Sequence, residues 1–274
     1  MMIRYNPKTT LIAAHRGVSG ANIPCNTIEA FNISLMQGAD IVELDVCKSC
    51  DGKLFVFHPG MEKPHLNIDC SLKELTAAEI EKIRYVNQDN VPTSYHISSL
   101  EEVLGFLKDK VYINVDKYWR NIEEITHTIR NVGVEKQVIV KAPAETEHID
   151  NVKKYAPDLA FMPVVKYQDN ISDYILESGL NYVGVEAIFS SEQDEIVSDN
   201  YIEKLHRQGL LIFGNAIVYD EKQIISAGHT DDIALSGKPD EGWGWFVDKK
   251  FDIIQTDWCL MLKNYLQNRK NIHN

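Results

Sequence analysis

The chain's 274 residues suit a single α/β barrel of about 250 residues, and no linker or low-complexity tract divides them. A composition of 44% hydrophobic and 25% charged residues, with 15 glycines and 9 prolines spread thinly, excludes collagen-like and disordered classes. A formal charge of −12 without a basic tract argues against nucleic acid as a partner, yet a metal ion and a few local cations can still hold a small anionic substrate.

Apolar runs of strand length alternate with helical segments, the pattern of parallel βα units. Strands are expected at Leu11–His15, Ile41–Val46, Val111–Asp116, Gln137–Ala142, Phe161–Val165, Tyr182–Ala187, Leu210–Ala216 and Asp252–Thr256. Helices are expected between them at Thr27–Gln37, Ser98–Lys108, Ile122–Asn131, Glu145–Tyr155, Ile171–Ser178 and Asp199–Gln208, several with a capping residue in front and glycine behind. Eight strands with helical crossovers imply a closed (β/α)8 TIM barrel, one domain over residues 1–274. Two departures interrupt the alternation. Asp51-Gly52 signals a turn into a short added strand over Lys53–His58, and Asp220–Lys250 has the Gly, Pro, Asp and Trp content of a long loop with a short helix before the last strand.

No apolar run reaches the roughly 20 residues that span a bilayer, and Met1–Pro7 lacks a secretory apolar core, so no integral membrane segment and a cytoplasmic location are expected. Five cysteines, an odd number, include one CxxC at Cys47–Cys50 with no second to complete a zinc site, which fits structural thiols in a reducing compartment.

The chemistry-bearing residues sit at the C-terminal ends of the expected strands. In Ile41-Val42-Glu43-Leu44-Asp45-Val46, alternation sends Glu43 and Asp45 to one face and the aliphatic residues to the other. Two carboxylates inside a barrel require compensation, and a divalent cation supplies it. The competing register would leave both facing water. His15-Arg16-Gly17 closes the first strand and His58 closes the added one, so two imidazoles, a guanidinium and paired carboxylates fall on one barrel face. Such a set suits phosphate-ester chemistry, in which arginine forks onto phosphate oxygens and two histidines divide acid and base work.

In these motifs the chain resembles the glycerophosphodiester phosphodiesterases, which are TIM barrels related to the phosphatidylinositol phospholipases C. The likeness runs from His15-Arg16-Gly17 through Pro24-Cys25-Asn26-Thr27, Ala30-Phe31, Gly38-Ala39-Asp40, Glu43-Leu44-Asp45-Val46, Asp51-Gly52 and His58 to Asp252–Asp257. It implies His15 and His58 as catalytic acid and base, Arg16 as a phosphate ligand, and Glu43 and Asp45 as ligands of a divalent cation. It further implies Asp116 as the third ligand, in place of the family's glutamate. Cys25 stands where the family has glutamate, and His58 is followed by Pro59-Gly60 rather than aspartate. The family's lysine lies two residues after the third acid. Here Lys117 follows Asp116 by one and Tyr118 holds the matching place, so Lys141 on the next strand becomes the expected phosphate-facing cation.

Glu186 and Trp258 are further substrate-binding candidates. Asn215 ends the seventh strand, as a pocket residue or a loop cap. Trp243 and Trp245 would either wall the alcohol site or pack beneath a loop. The activity implied is hydrolysis of a glycerophosphodiester, a small-molecule substrate of lipid and glycerol metabolism, to glycerol phosphate and an alcohol, with Mg2+, Ca2+ or Mn2+ as cofactor. Two alternatives stay open: a phospholipase of the C or D type on the same barrel, for which Trp243-Gly244-Trp245-Phe246 would be the apolar rim, and a barrel that binds phosphodiesters without cleaving them.

Overall fold

The computed structural model describes residues 3, 6, 9–218 and 222–273; Asp220 and Glu221 of the expected loop, and most of Met1–Pro7, lie outside the described residues. The strands are β1 (Leu11–Ala14), β2 (Ile41–Lys48), β3 (Leu54–Val56), β4 (Arg84–Val86), β5 (Pro92–His96), β6 (Tyr112–Asp116), β7 (Val138–Pro143), β8 (Ala160–Lys166), β9 (Gly184–Ile188), β10 (Leu211–Asn215) and β11 (Ile253–Thr256). β1, β2, β6, β7, β8, β9, β10 and β11 are parallel neighbours in that order, and β1 pairs with both β2 and β11, so the sheet closes on itself. Helices lie between the barrel strands, which makes the architecture a (β/α)8 TIM barrel.

Alternation along each strand builds two shells. Ala13, Ile41, Ile139, Met162, Phe213 and Ile253 fill the barrel's interior, while Val42, Leu44, Val115, Val140, Ile212 and Ile254 join the core shared with the surrounding helices. Two residues further along the inward face, the apolar filling gives way to polar side chains. Ile41 is followed by Glu43, Tyr112 by Asn114, Ile139 by Lys141, Phe213 by Asn215 and Ile253 by Gln255, all five buried. The functional layer is thus the next turn of the same pleat that builds the core.

The helix Ile28–Gln37 starts where the Thr27 hydroxyl accepts from the Ala30 amide, and it stops at Gly38, whose φ of 82° closes the last turn. β3 runs antiparallel to β2, with Cys47 opposite Phe55, as the turn at Asp51-Gly52 predicts. It seeds a side lobe in which Phe55, Phe57, Leu66, Leu72, Ile80, Tyr85 and Ile97 pack together, and this cluster fixes the backbone that carries His58.

The β4–β5 hairpin within this lobe has no counterpart in the expected elements. Pro92–His96 alternates exposed and partly buried positions without an apolar face, so its sequence lacks the strand signature. The closing helix, Cys259–His273, also goes beyond the expected set. Trp243-Gly244-Trp245-Phe246 is not an exposed rim. Trp243 and Phe246 are buried, and Trp245 stacks on His229 with ring centroids 4.2 Å apart, so these aromatics pack beneath the loop.

Gly214 of β10 is pressed by this aromatic cluster: a Cβ there would lie 2.6 Å from Phe246 and 2.7 Å from Phe251. Its backbone is not left-handed, so a Gly214→Ala change isolates overpacking. The substitution is expected to cost about 1–3 kcal/mol, read as a lower denaturant midpoint at unchanged slope; an unchanged midpoint would refute tight packing here.

Candidate active site

The mouth of the barrel brings together most of the residues singled out from sequence. Glu43, Asp45 and Asp116 each present a ligand atom, and these atoms lie within 4.8 Å of one another. Glu43 and Asp45 are almost wholly buried. Burial, reinforced by the charge of Asp45, pushes the Glu43 pKa up to about 8. One Asp45 oxygen, Oδ1, is buried without a hydrogen-bond partner. Three clustered carboxylates, one protonated more readily than usual and one with an unanswered lone pair, fit a hard divalent cation that takes oxygen ligands.

Several backbone devices hold this cluster. Arg16 and Gly17 leave β1 in left-handed conformations, with φ of 53° and 73°, turning the chain so that the Arg16 amide donates to Glu43 Oε2 at 2.8 Å. A side chain at Gly17 would collide with Ala30 and Phe31 at 2.9 Å, so glycine is required there. The Arg16 guanidinium places Nε 3.0 Å from Asp45 Oδ2. Asn26, also left-handed at φ 58°, clamps Asp45 from both sides: its amide nitrogen donates to Oδ2 at 3.0 Å and its carbonyl accepts the Asp45 amide at 3.2 Å.

Lys117 corrects an expectation. Strand parity would turn it away from the carboxylates, but β6 ends at Asp116 and Lys117 itself is left-handed, with φ 57° and ψ 13°. The kink brings its ammonium 2.7 Å from Asp116 Oδ2 and 3.8 Å from Asp45 Oδ1. Burial works against the Asp116 carboxylate, yet Lys117 overrides it and holds the pKa below the ordinary range. Lys141 is buried deeper, paired with Glu186 Oε2 at 2.7 Å and seated over the Phe213 ring at 3.5 Å. Glu186 also accepts from Asn215, which in turn accepts from Gln255. Lys117, Lys141, Glu186 and Asn215 all line one cavity of about 680 Å3, together with His15, Arg16, Glu43, Asn114 and Asp116.

The histidines differ in environment. His15 Nδ1 lies 2.9 Å from Asp257 Oδ1; burial disfavours the imidazolium, but this hydrogen bond and the Glu43 charge outweigh it and raise the pKa. His58 sits with Nε2 3.9 Å from Asp45 Oδ1, and burial, only partly offset by Asp45, lowers its pKa. Asp257 is held in turn: its amide donates to Asp231, which also accepts from Thr256 and from the indole of buried Trp243. Cys25 lies 3.8 Å from His65 Nδ1, and burial pushes its thiol up to about 12, so it is no nucleophile near neutral pH.

Asn26, Asn114, Lys117 and Asp257 belong to this arrangement and were not among the residues selected from sequence. For Asn114 the signal was present, since it shares the inward face of β6 with Asp116, and both polar atoms of its buried amide lack partners. For Lys117 no strand-based pattern could have found it.

The chain is 32% identical to a glycerophosphodiester phosphodiesterase of Caldanaerobacter subterraneus subsp. tengcongensis over 158 residues, which is 55% of this chain and 64% of that relative. The chain therefore spans just under two thirds of that relative's length. A crystal structure of a glycerophosphoryl diester phosphodiesterase from Parabacteroides distasonis superposes with a TM-score of 0.80, covering 97% of this chain and 88% of the other at 18% identity. Sequence relatives and structural neighbours alike bear the name of glycerophosphodiester phosphodiesterases. An Oleispira antarctica phosphodiesterase in complex with the product sn-glycerol-3-phosphate matches with a TM-score of 0.69 over 94% of this chain and 97% of its own, at 16% identity. A family model described as a domain of unknown function matches residues 161–266. Among the described residues, no helix is long and apolar enough to cross a membrane.

Because the Glu43 carboxyl holds its proton up to about pH 8, a cation entering the cluster must displace that proton. Calorimetric titration with Mg2+ or Ca2+ should therefore show affinity rising from about pH 6.5 to about 8.5, with proton release at the lower pH. The Glu43→Gln variant should lose both effects, and a wild-type affinity flat across this window would contradict the arrangement.

Proposed function

We propose that the protein is a divalent-cation-dependent glycerophosphodiester phosphodiesterase that releases glycerol phosphate and an alcohol. The observation that carries this reading is the convergence of three acids, two histidines and the cations Arg16 and Lys117 at one mouth of the barrel. The relatives' names and the product in the Oleispira antarctica structure support the substrate class.

Glu43, Asp45 and Asp116 would hold the cation, with Mg2+ and Ca2+ the best matches to an all-oxygen set and Mn2+ also compatible. When bound it supplies charge neutralisation to the phosphate and its glycerol arm. Arg16 and Lys117 neutralise the remaining phosphate charge from the cavity wall. Lys141 and Glu186, paired deeper in the cavity, offer a donor and an acceptor to glycerol hydroxyls.

His58, whose burial favours the neutral ring, accepts the proton of the attacking oxygen, which comes from water or from the substrate's own 2-hydroxyl. His15, held toward the imidazolium by Asp257, donates a proton to the departing alcohol as its P–O bond breaks. The charge lost from one ring is gained by the other: where the 2-hydroxyl attacks, water then opens the cyclic phosphate with the two rings in exchanged roles, and where water attacks directly, the rings are reset by proton exchange with solvent. A barrel that only bound phosphodiesters would have no use for two proton carriers in oppositely tuned environments.

Release of glycerol phosphate from glycerophosphocholine, with and without chelator, tests the reading directly. His15→Ala and His58→Ala are each expected to lose about 10²- to 10⁴-fold in kcat at retained cation binding. Turnover that survives either change, or that ignores chelator, would overturn it.

Asp257 is a positioning residue with its own signature. Asp257→Asn removes a hydrogen-bonded charge that raises the His15 pKa, so the alkaline limb of kcat/KM should move to lower pH while the acid limb stays in place. A uniform drop in rate with no displacement of that limb would assign Asp257 a structural role only.

A further inference from the structure

The reaction centre opens into a second cavity, and its chemistry differs from the first. His15 and Arg16 line both. On one side lies the 680 Å3 chamber, which joins Glu43, Asp116, Lys117 and Lys141 to apolar side chains such as Trp119 and Ile188; on the other lies a cavity of about 540 Å3 whose wall beyond His15, Arg16 and Asp257 is mostly Val18, Cys25, Trp258, Leu260 and Met261. Among the described residues, the carboxylate of this second wall is Asp257, whose Oδ1 is engaged by His15, and its cationic groups are Arg16 and His15, both shared with the first chamber. Trp258, Leu260 and Met261 stand 49%, 46% and 48% exposed at its lip, an arrangement that leaves three large apolar side chains in water beside a phosphate-binding residue. The lip is a built feature: Gln37, at the end of its helix, accepts the Leu260 amide at 3.2 Å and so anchors the start of the closing helix against the cavity.

A diester has two arms, and the two histidine- and arginine-lined cavities offer them different surroundings, one rich in charged side chains and the other with few. The paired Lys141 and Glu186 of the first chamber suit the hydroxyls of glycerol. We propose that the other cavity receives the second arm, and that this arm is apolar: the substrate is a glycerophosphodiester whose non-glycerol alcohol carries an alkyl or acyl chain, rather than one with a compact charged head group. The inference rests on the phosphodiesterase reading and adds the class of leaving alcohol. Cys25 takes part in it. Its thiol, neutral well past physiological pH, lines this cavity without adding a charge, where a carboxylate would have pulled water and cations into it. The apolar rim that would mark a lipid-type substrate is thus carried by Trp258, Leu260 and Met261, not by the buried Trp243-Gly244-Trp245-Phe246 stretch.

The test is a series of synthetic glycerophospho-n-alkyl esters, from ethyl through butyl and hexyl to octyl, assayed below their micellar concentrations for release of glycerol phosphate by the cation-loaded full chain. kcat/KM should climb about two- to fourfold per methylene while the chain is being buried. The ratio of octyl to ethyl kcat/KM should collapse at least about tenfold in the double variant Leu260→Ser/Met261→Ser, whose exposed sites leave the core untouched. Equal kcat/KM along the wild-type series, with glycerol phosphate still released, would overturn the apolar arm and leave the phosphodiesterase reading standing. A chain-length dependence undiminished in the double variant would overturn this cavity as its cause. No glycerol phosphate from any ester would sink the phosphodiesterase reading itself.

Discussion

Three carboxylates held within a few ångströms in a low-dielectric barrel repel one another, and the structure around the mouth is organised to contain that repulsion. Glu43 responds by holding a proton longer, with its pKa near 8, and by accepting the Arg16 amide. Asp45 is spread over the Arg16 guanidinium and the Asn26 amide. Asp116 is answered by Lys117. Each of these partners occupies a left-handed backbone position, where the chain has been bent from strand geometry to deliver it. Such conformations cost of order 1 kcal/mol each for residues with a Cβ and persist only where the surroundings enforce them. Their concentration at Arg16, Asn26 and Lys117 shows the site's electrostatics setting the local backbone.

The same logic explains why much of the site is remote in sequence from the groups proposed to do the chemistry. His15 is oriented by Asp257, which is aligned by Asp231, which is satisfied by Thr256 and Trp243. Burial pushes the Asp231 carboxyl up to about 6, even with three donors around it, so this anchor is itself poised above the ordinary carboxylate range. The long segment before β11 therefore does more than cover the barrel. Its short helix Asp231–Leu235 supplies the acid that fixes the exit of the last strand, and Trp243 reaches that acid because it is buried rather than because it meets substrate.

The barrel and its acidic cluster were legible in sequence because both follow from one rule, the two-residue period of a strand. Once Ile41 is inside, Glu43 and Asp45 must be inside too, and the same count places Lys141 and Asn215. The rule fails where strands end. Lys117 escaped it because parity has no meaning past a left-handed kink, and Asn26 and Asp257 because loops position side chains by turns and hydrogen bonds that leave no periodic trace. The β4–β5 hairpin escaped for a different reason: strands lying over a side lobe with much of their surface in water need no apolar face. Composition left the aromatic run near Trp243 open between a rim and a packed loop, since four residues rich in Trp and Phe look the same whether they insert into a lipid or into a core.

The two departures from the resembled family's pattern, at Cys25 and at the third acid, become intelligible together. A carboxylate at position 25 would compete with Asp45 for the Arg16 guanidinium; a neutral thiol does not, so less of the Arg16 charge is spent within the protein and more faces the cavity. Asp116, one methylene shorter than glutamate, cannot reach as far across the cluster, and Lys117 is bent toward it, bringing an ammonium to within 3.8 Å of Asp45 as well. One change removes a negative charge beside Arg16; the other moves the lysine of the resembled pattern one residue closer to the acid, and the left-handed turn at Lys117 keeps its ammonium at the cluster. Arg16 and Lys117 thus set positive charge against the acids of this mouth in a chain whose net charge is −12, which is what the proposed handling of an anionic diester requires.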